Sequence, residues 1–471
     1  MGWRSFVRHG YNCYPFRCPQ IGRSQIATRG VRHETEEVQR QQRPAQWSLI
    51  ARIAIRFCFV YFGLYCLATQ IVAGLFSPNQ GDDIPDPATL WPLRQIILWT
   101  AVHILHVRTT VAYDNNSGSG DGMFAWVLVF CLLVIAILAT GIWSVLDRKR
   151  ENYVMLSKWF RLFIRFSLAG QMLNYGMFKV IPVQMPYPSL TRLLEPFGNF
   201  SPMGVLWSSI GASQTYEIFA GCAEVLGGLL LIVPRTAMFG ALICLADMIQ
   251  VFMLNMTYDV PVKPFAFHLI LLALLLLAPD LPRLVNVFFG NRTVAPSAHA
   301  QLFSTRRANR TAFTLQILFG LWLVGMNVHG SWTAWHLYGD GRPKSALYGI
   351  WNVDQLTIDG QVRPPLLTDN ERWRRVIFDS PTRMVFQRMD DSIARFGASI
   401  NVDGKILALT NADEKNWKAS FTFQRPAPDQ LVLDGDMDRH KVHMQLKLLD
   451  RNKFLLVSRG FHWIQEIPFN R

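Results

Sequence analysis

The run Tyr216-Glu217-Ile218-Phe219-Ala220-Gly221-Cys222-Ala223-Glu224-Val225-Leu226-Gly227-Gly228 is apolar enough to lie in a bilayer, yet it holds two carboxylates. Glu217, Gly221, Glu224 and Gly228 are spaced 4, 3 and 4 residues apart, so they share one face of a helix. The small residues permit close approach of a neighbouring helix. Glu224 falls near the middle of an expected span over residues 215–233, too deep for a short side chain to reach water. At a helix centre an Asp, Arg or Lys costs about 2.5–3.5 kcal/mol on insertion scales. Glu224 is therefore expected to be protonated or paired.

The same pattern extends to both sides. In an expected span over 154–181, Arg161, Arg165, Leu168, Met172, Tyr175 and Lys179 are spaced 4, 3, 4, 3 and 4 and form one stripe. Snorkelling to the interfaces is the simple account of these cations. Pairing with the buried acids is the alternative, with Arg165 or Lys179 as the charge partner. Asp247 lies near the middle of the next span, with Gln250 one turn on. Asn255, Tyr258, Asp259 and Lys263 gather at that span's outer end, and His268 follows one turn into the next helix. Acids, a lysine, a histidine and amides thus collect at one level across several helices. Glu224 and Asp247 are the candidate proton-carrying, catalytic residues. Lys179, Glu217, Asn255 and His268 are the candidate ligand-binding residues, Arg165 is a structural charge partner, and no metal site is expected. The competing reading is a polar network that only holds helices together, at about 0.6–2 kcal/mol per hydrogen bond.

The loop from Pro182 to Gln214 is expected to be a lid. Ile181-Pro182-Val183-Gln184-Met185-Pro186-Tyr187-Pro188 cannot continue a helix, because proline lacks the amide donor. Leu193-Leu194-Glu195-Pro196 and Met203-Gly204-Val205-Leu206-Trp207 are apolar enough to dip back into the bilayer.

Half of the 471 residues are hydrophobic and the mean hydropathy is positive, which excludes a disordered chain. The net charge of +14 sits largely in Arg before residue 50 and in short loops beside apolar segments. That is the positive-inside pattern of a membrane protein, and no nucleic-acid-binding motif accompanies it. Spans are expected near 50–76, 122–146, 154–181, 215–233, 236–256, 264–281 and 311–330, about seven in all. Trp91 to Val107 is shorter and amphipathic and is expected at the interface. His103 and His106, at i and i+3, could bind haem or a metal, but no matching His pair stands out on another span, so a helix-surface or interfacial role is expected. The basic loops around Arg148-Lys149-Arg150, Arg235 and Arg283 to Arg310 alternate with an acidic one carrying Asp82, Asp83, Asp86, Asp114 and Asp121. The chain is thus expected in a bacterial inner membrane, N-terminus cytoplasmic and C-terminal domain extracytoplasmic.

Of the seven cysteines, Cys58, Cys66, Cys131, Cys222 and Cys244 lie in apolar segments and are expected to be small buried hydrophobes. Cys13 and Cys18 lie in the basic tail and have no second ligand pair nearby. The expected divisions are a basic cytoplasmic tail over 1–49, N-terminal spans with the interfacial helix over 50–153, a bundle over 154–292, a linker and last span over 293–335, and a β domain over 336–471.

Past Leu337 charged residues become frequent and apolar ones begin to alternate. Strands are expected at Trp373–Phe378, Met384–Arg388, Lys405–Thr410, Lys418–Gln424, Gln430–Leu433, Lys441–Leu448 and Phe454–Ser458. Turn signals lie between them, among them Asp403-Gly404, Asn411-Ala412-Asp413 and Asp434-Gly435. This describes an antiparallel β domain, sandwich or barrel. Gly349-Ile350-Trp351 at its entrance is similar to the Gly-x-Trp opening of lipocalin-like barrels.

Tyr175-Gly176-Met177-Phe178-Lys179, then Ala223-Glu224-Val225-Leu226-Gly227-Gly228-Leu229-Leu230-Leu231, then Pro234-Arg235-Thr236 opening a further apolar helix, resemble the DoxX-like family of small bacterial membrane proteins. The resemblance covers roughly a quarter of the chain, from Gln171 to Asp280. It implies a four-helix bundle and, through the subunit for which the family is named, an association with quinone-linked redox chemistry. The additional N-terminal spans, the Pro-rich loop and the β domain depart from that pattern. Sequence motifs of nucleotide-binding, metalloprotease, thioredoxin-like and haem-attachment sites are absent, so enzyme activity stays open. Two functions follow as expectations. One is a redox component binding a quinone or similar lipophilic carrier, with Lys179 and His268 polarising its oxygens and Glu224 and Asp247 handling protons. The other is a non-enzymatic scaffold or assembly protein whose β domain binds a protein partner or membrane lipid.

Overall fold

A computed structural model describes residues 46–77, 85–108, 120–290, 292–294, 301–369, 371–411 and 417–470. Most of the expected basic tail, Cys13, Cys18, Asp82, Asp83 and Asp114 lie outside the described residues. The principal helices are α1 (Leu49–Ala68), α2 (Leu93–His103), α3 (Met123–Leu146), α4 (Val154–Val180), α5 (Pro202–Gly211), α6 (Gln214–Ile232), α7 (Ala237–Thr257), α8 (Lys263–Leu277) and α9 (Arg306–Leu337), with shorter turns at Gln70–Ala73 and Leu281–Phe288. Local chemistry sets several starts. Ser48, Ser201 and Thr305 each accept a backbone N–H two or three residues into α1, α5 and α9.

Among the described residues six helical segments are long and apolar enough to cross a membrane: Leu49–Ala68, Met123–Leu146, Gln214–Ile232, Ala237–Thr257, Lys263–Phe288 and Arg306–Leu337. The expected count was about seven. The difference is α4, which has the length but too many polar residues, among them Lys158, Arg161, Arg165, Gln171, Asn174 and Lys179. Its neighbours cover it instead. Ile164, Leu168, Ala169, Met172 and Leu173 have essentially no exposure, and Gln171 and Asn174 are buried with them. A helix wrapped by other helices can carry polarity that a lipid-facing one cannot.

Glycines bring α6 against both neighbours. A Cβ on Gly221 would lie 2.7 Å from the Gly176 carbonyl oxygen and from Lys179 Cβ of α4. A Cβ on Gly227 would lie 2.8 Å from Cys244 Sγ of α7, and one on Gly240 of α7 2.8 Å from the Leu231 nitrogen. The helix pair α1 and α3 joins the bundle through Arg56. This buried guanidinium donates to the Tyr153 hydroxyl at 2.8 Å, the Ser144 hydroxyl at 2.8 Å and the Asp147 carbonyl at 2.9 Å.

Helix α2 lies on the surface with Leu93, Ile96, Trp99 and Val102 exposed, as is Trp91 just before it, and Ile97 and Ala101 buried. The buried-cysteine expectation is met at Cys66 and Cys244, while Cys222 faces outward and Cys58 and Cys131 are half-buried.

The C-terminal strands are β1 (Gly349–Ile358), β2 (Gln361–Val362), β3 (Trp373–Ser380), β4 (Arg383–Arg388), β5 (Ile393–Asn401), β6 (Ile406–Thr410), β7 (Lys418–Ala427), β8 (Gln430–Met437) and β9 (His440–Leu448). Each pairs antiparallel with the next along the chain, except that β2 only folds back on β1 and β3 pairs with β1. Pairing of β1 with β9, from Trp351 opposite Leu448 to Ile358 opposite Val442, closes an eight-stranded antiparallel barrel. Closure leaves no free edge, which decides for a barrel over a sandwich. Strands β1 and β5 were not expected, and Phe454–Ser458 is not a strand: Leu455–Ser458 form one helical turn. The interior is filled by Trp351, Trp373, Phe386, Phe396, Phe421 and aliphatic side chains. On the outer wall Ile350, Ile377 and Val385 pack against Leu190 and Leu194 of the loop after α4. Leu194 therefore turns toward the barrel, where an apolar wall awaits it, rather than back into the bundle's surroundings.

Candidate functional site

Glu224 and Lys179 meet across the α4–α6 contact. The ammonium donates to Glu224 Oε1, and both residues are buried, at 1% and 8% exposure. Their helices can approach this closely because Gly221 and Gly176 lie at the crossing. Glu224 Oε2 is buried without a hydrogen-bond partner. Glu217, two turns toward the N-terminal end of α6, is fully buried. Its Oε1 accepts the Met185 N–H at 2.9 Å, so this carboxylate pins the Pro-rich loop over the helix end. Its Oε2 has no partner. Asp247 on α7 is half-buried, interacts electrostatically with Glu224 and Lys179, and has a buried, unpartnered Oδ2. Three carboxylates and one lysine thus form one centre, with α6 between α4 and α7.

The other expected residues lie elsewhere. Arg165 is 14 positions before Lys179, about 21 Å along the helix at 1.5 Å per residue. Its guanidinium donates to Gln316 of α9 and sits over the Phe166 ring. It is not the partner of Glu224 or Asp247. His268 stacks on Tyr65, with ring centroids 3.8 Å apart. Its Nδ1 lies 2.6 Å from the Pro264 carbonyl oxygen, which can only accept, so Nε2 is left to accept from the Tyr61 hydroxyl at 2.8 Å. His268 therefore belongs to a separate aromatic centre against α1. Asn255 is buried, its side-chain amide nitrogen has no partner, and its backbone carbonyl accepts the Val260 N–H. Lys263 ties Asp121 and Asp259 together at 3.0 and 2.9 Å.

Sequence reasoning missed Arg56, Tyr61, Tyr65, Asn327 and Ser331. Asn327 and Ser331 are buried on α9, with Asn327 Oδ1 and Ser331 Oγ unpartnered. Arg165 pairs with Gln316, and Trp159 meets Phe303, just before α9, edge to face, so α4 and α9 run in the same direction. At equal rise Asn327 and Ser331 reach the level of Gly176 to Val180, the level of Lys179 in α4. A signal existed: Gly320, Leu323, Asn327 and Gly330–Ser331 recur at helical spacing in an apolar span.

A relative fixes the wider kinship. An uncharacterized protein, YwoB, from Bacillus subtilis (strain 168) is 30% identical over 129 residues, 27% of this chain and 79% of the Bacillus protein. The chain belongs to the family of YwoB. No family model and no solved structure matches it. The YwoB-like part is about a quarter of the chain, so most of its length lies beyond the shared region.

Proposed function

We propose that this YwoB-family chain is an integral protein of a bacterial cytoplasmic membrane whose bundle binds the polar head of a quinone or similar lipophilic carrier beside Lys179. In this reading α4 is a seventh span, covered by its neighbours from Phe160 onward, the N-terminus is cytoplasmic and the barrel extracytoplasmic. The carrying observation is the buried Lys179–Glu224 pair with one unpartnered oxygen on each of Glu217, Glu224 and Asp247. Orphaned polar atoms in an apolar surrounding are costly unless a ligand or proton satisfies them.

The donor set fits such a carrier. A quinone supplies two carbonyl oxygens and takes up protons when reduced. Lys179 has three donors and uses one on Glu224, so it can orient a carbonyl oxygen. Glu224 and Asp247 hold or pass protons at Oε2 and Oδ2, which no hydrogen bond commits. Glu217 holds the loop that excludes water. The DoxX-like pattern on α4, α6 and α7 supports the same reading. A second reading, a scaffold whose barrel binds a partner, is favoured by the filled barrel interior, which leaves recognition to the outer wall.

Mass spectrometry of the protein purified in mild detergent tests this. Quinone in a fixed ratio to wild-type protein, lost in Glu224→Gln and Asp247→Asn variants that still fold, is the expected result. A stable protein partner with no small molecule would put the scaffold reading first.

A further inference from the structure

A cavity of about 330 Å³ lies where the bundle meets the barrel. Its wall takes Tyr187 from the loop after α4, Gln214 from the start of α6, Asp340, Arg342 and Lys344 from the segment after α9, and Asp379 and Arg451 from the barrel side. Helix ends and the barrel thus converge there. Two acids have partners: Asp379 accepts from Arg342 at 3.1 Å and Asp340 from the Gln214 amide at 2.5 Å. The two remaining cations sit over tyrosine rings instead of against carboxylates. Lys344 Nζ lies 5.0 Å from the Tyr348 centroid and the Arg451 guanidinium 5.2 Å from that of Tyr187. Arg451 Nε is buried with no hydrogen-bond partner. Three cations against two carboxylates leave the wall one positive charge in excess.

The rim is apolar. Val457 lines the cavity, and Leu455 and Leu456 in the same helical turn are exposed, followed by exposed Phe461, Trp463, Ile464 and Ile467. Leu337 and Tyr338, where α9 ends, are exposed as well. Aromatic and aliphatic side chains beside cations mark a membrane interface.

The geometry points to a phospholipid site: Lys344 and Arg451 bind a monoanionic phosphodiester head, and the acyl chains lie along the Leu455–Leu456 turn and the end of α9. A phosphodiester carries the one negative charge that balances the wall, and its oxygens accept from both cations. This site rests on the membrane reading above and not on carrier binding at Lys179.

The test uses the full chain in mild non-ionic detergent and three probes: a short-chain anionic phospholipid, a diacylglycerol with the same chains, and inorganic phosphate. The melting midpoint is followed against probe concentration. The phospholipid is expected to raise it saturably and the diacylglycerol to leave it unmoved. The Lys344→Gln/Arg451→Gln variant is expected to bind the phospholipid roughly tenfold more weakly or worse, the loss of charge-assisted hydrogen bonds. Should the double variant not fold, Lys344→Gln alone decides, since Lys344 is exposed. Unchanged affinity in the variant, or inorganic phosphate acting as strongly as the lipid, overturns the proposal. Glu224→Gln separates the two sites, because it leaves the lipid response intact even where carrier binding is lost. Release of the protein from membranes by a carbonate wash would instead remove the membrane reading itself.

Discussion

Lys179 reaches Glu224 across a helix crossing that has no room for a side chain at Gly221. A Cβ there would lie 2.7 Å from the Gly176 oxygen, Lys179 Cβ and the Val180 nitrogen, two of them rigid backbone atoms. The ion pair and the glycine are one feature, because the pair forms only while the helices stay this close.

Gly221→Ala is therefore expected to destabilise the bundle by about 1–3 kcal/mol, the usual cost of overpacking. Gly63→Ala, with nothing within 4 Å of its Cβ, is the control and is expected to be neutral or up to about 1 kcal/mol stabilising. Thermal unfolding of both variants in detergent checks this, and equal behaviour would contradict the close-contact account.

Lys179→Met leaves Glu224 buried without its cation, a change that costs about 3–5 kcal/mol for a buried pair. Lys179→Met with Glu224→Gln removes both charges and is expected to recover much of that loss. A double variant no more stable than Lys179→Met would show that the pairing does not matter to folding.

A reporter active only outside the cytoplasm, fused after Arg471, is expected to be active, because the proposed reading puts seven crossings after a cytoplasmic N-terminus. Six crossings, with α4 not spanning, would put the fusion inside and silence it.

Residues from about Ser345 to Arg471 are expected to fold alone, since the closed barrel has its own core. Circular dichroism of β type checks the fold. Without Leu190 and Leu194 the outer-wall patch of Ile350, Ile377 and Val385 loses its cover. The fragment is expected to self-associate, and Ile377→Thr to reduce that association in sedimentation measurements.

On the barrel surface His440 Nδ1 lies 2.7 Å from Asp359 Oδ2. The hydrogen bond with Asp359 raises the His440 pKa, and the same bond lowers that of Asp359. A raised histidine value gives stability that is full below about 6.5 and lost as pH rises through the folded value. A lowered carboxylate value gives stability that is present above about 3.9 and lost as pH falls through the folded value. The pair thus helps most between about pH 4 and about pH 6.5. His440→Gln is expected to lower the melting temperature more at about pH 5.5 than at about pH 8.5. Equal losses at both would refute the assignment.

Helical periodicity in an apolar background located α1, α3, α4 and α6 to α9, because a stripe of small or polar residues is legible at a spacing of three and four. Alternation located β3, β4 and β6 to β9 in the same way. It failed for β1, where Ile350 on the outer wall and Trp351 inside are both buried, and for β5, where Phe396 is the one strongly buried residue. Residue order alone required that charges at Lys179, Glu217, Glu224 and Asp247 be reconciled with apolar helices. Tertiary packing settled the partners. It gave Glu224 to Lys179, Arg165 to Gln316 and His268 to Tyr61 and Tyr65, and it closed β1 on β9. Spacing along one helix fixes which face a residue is on, but a partner is chosen by the azimuth and level at which another helix packs, and neither is written in the local pattern.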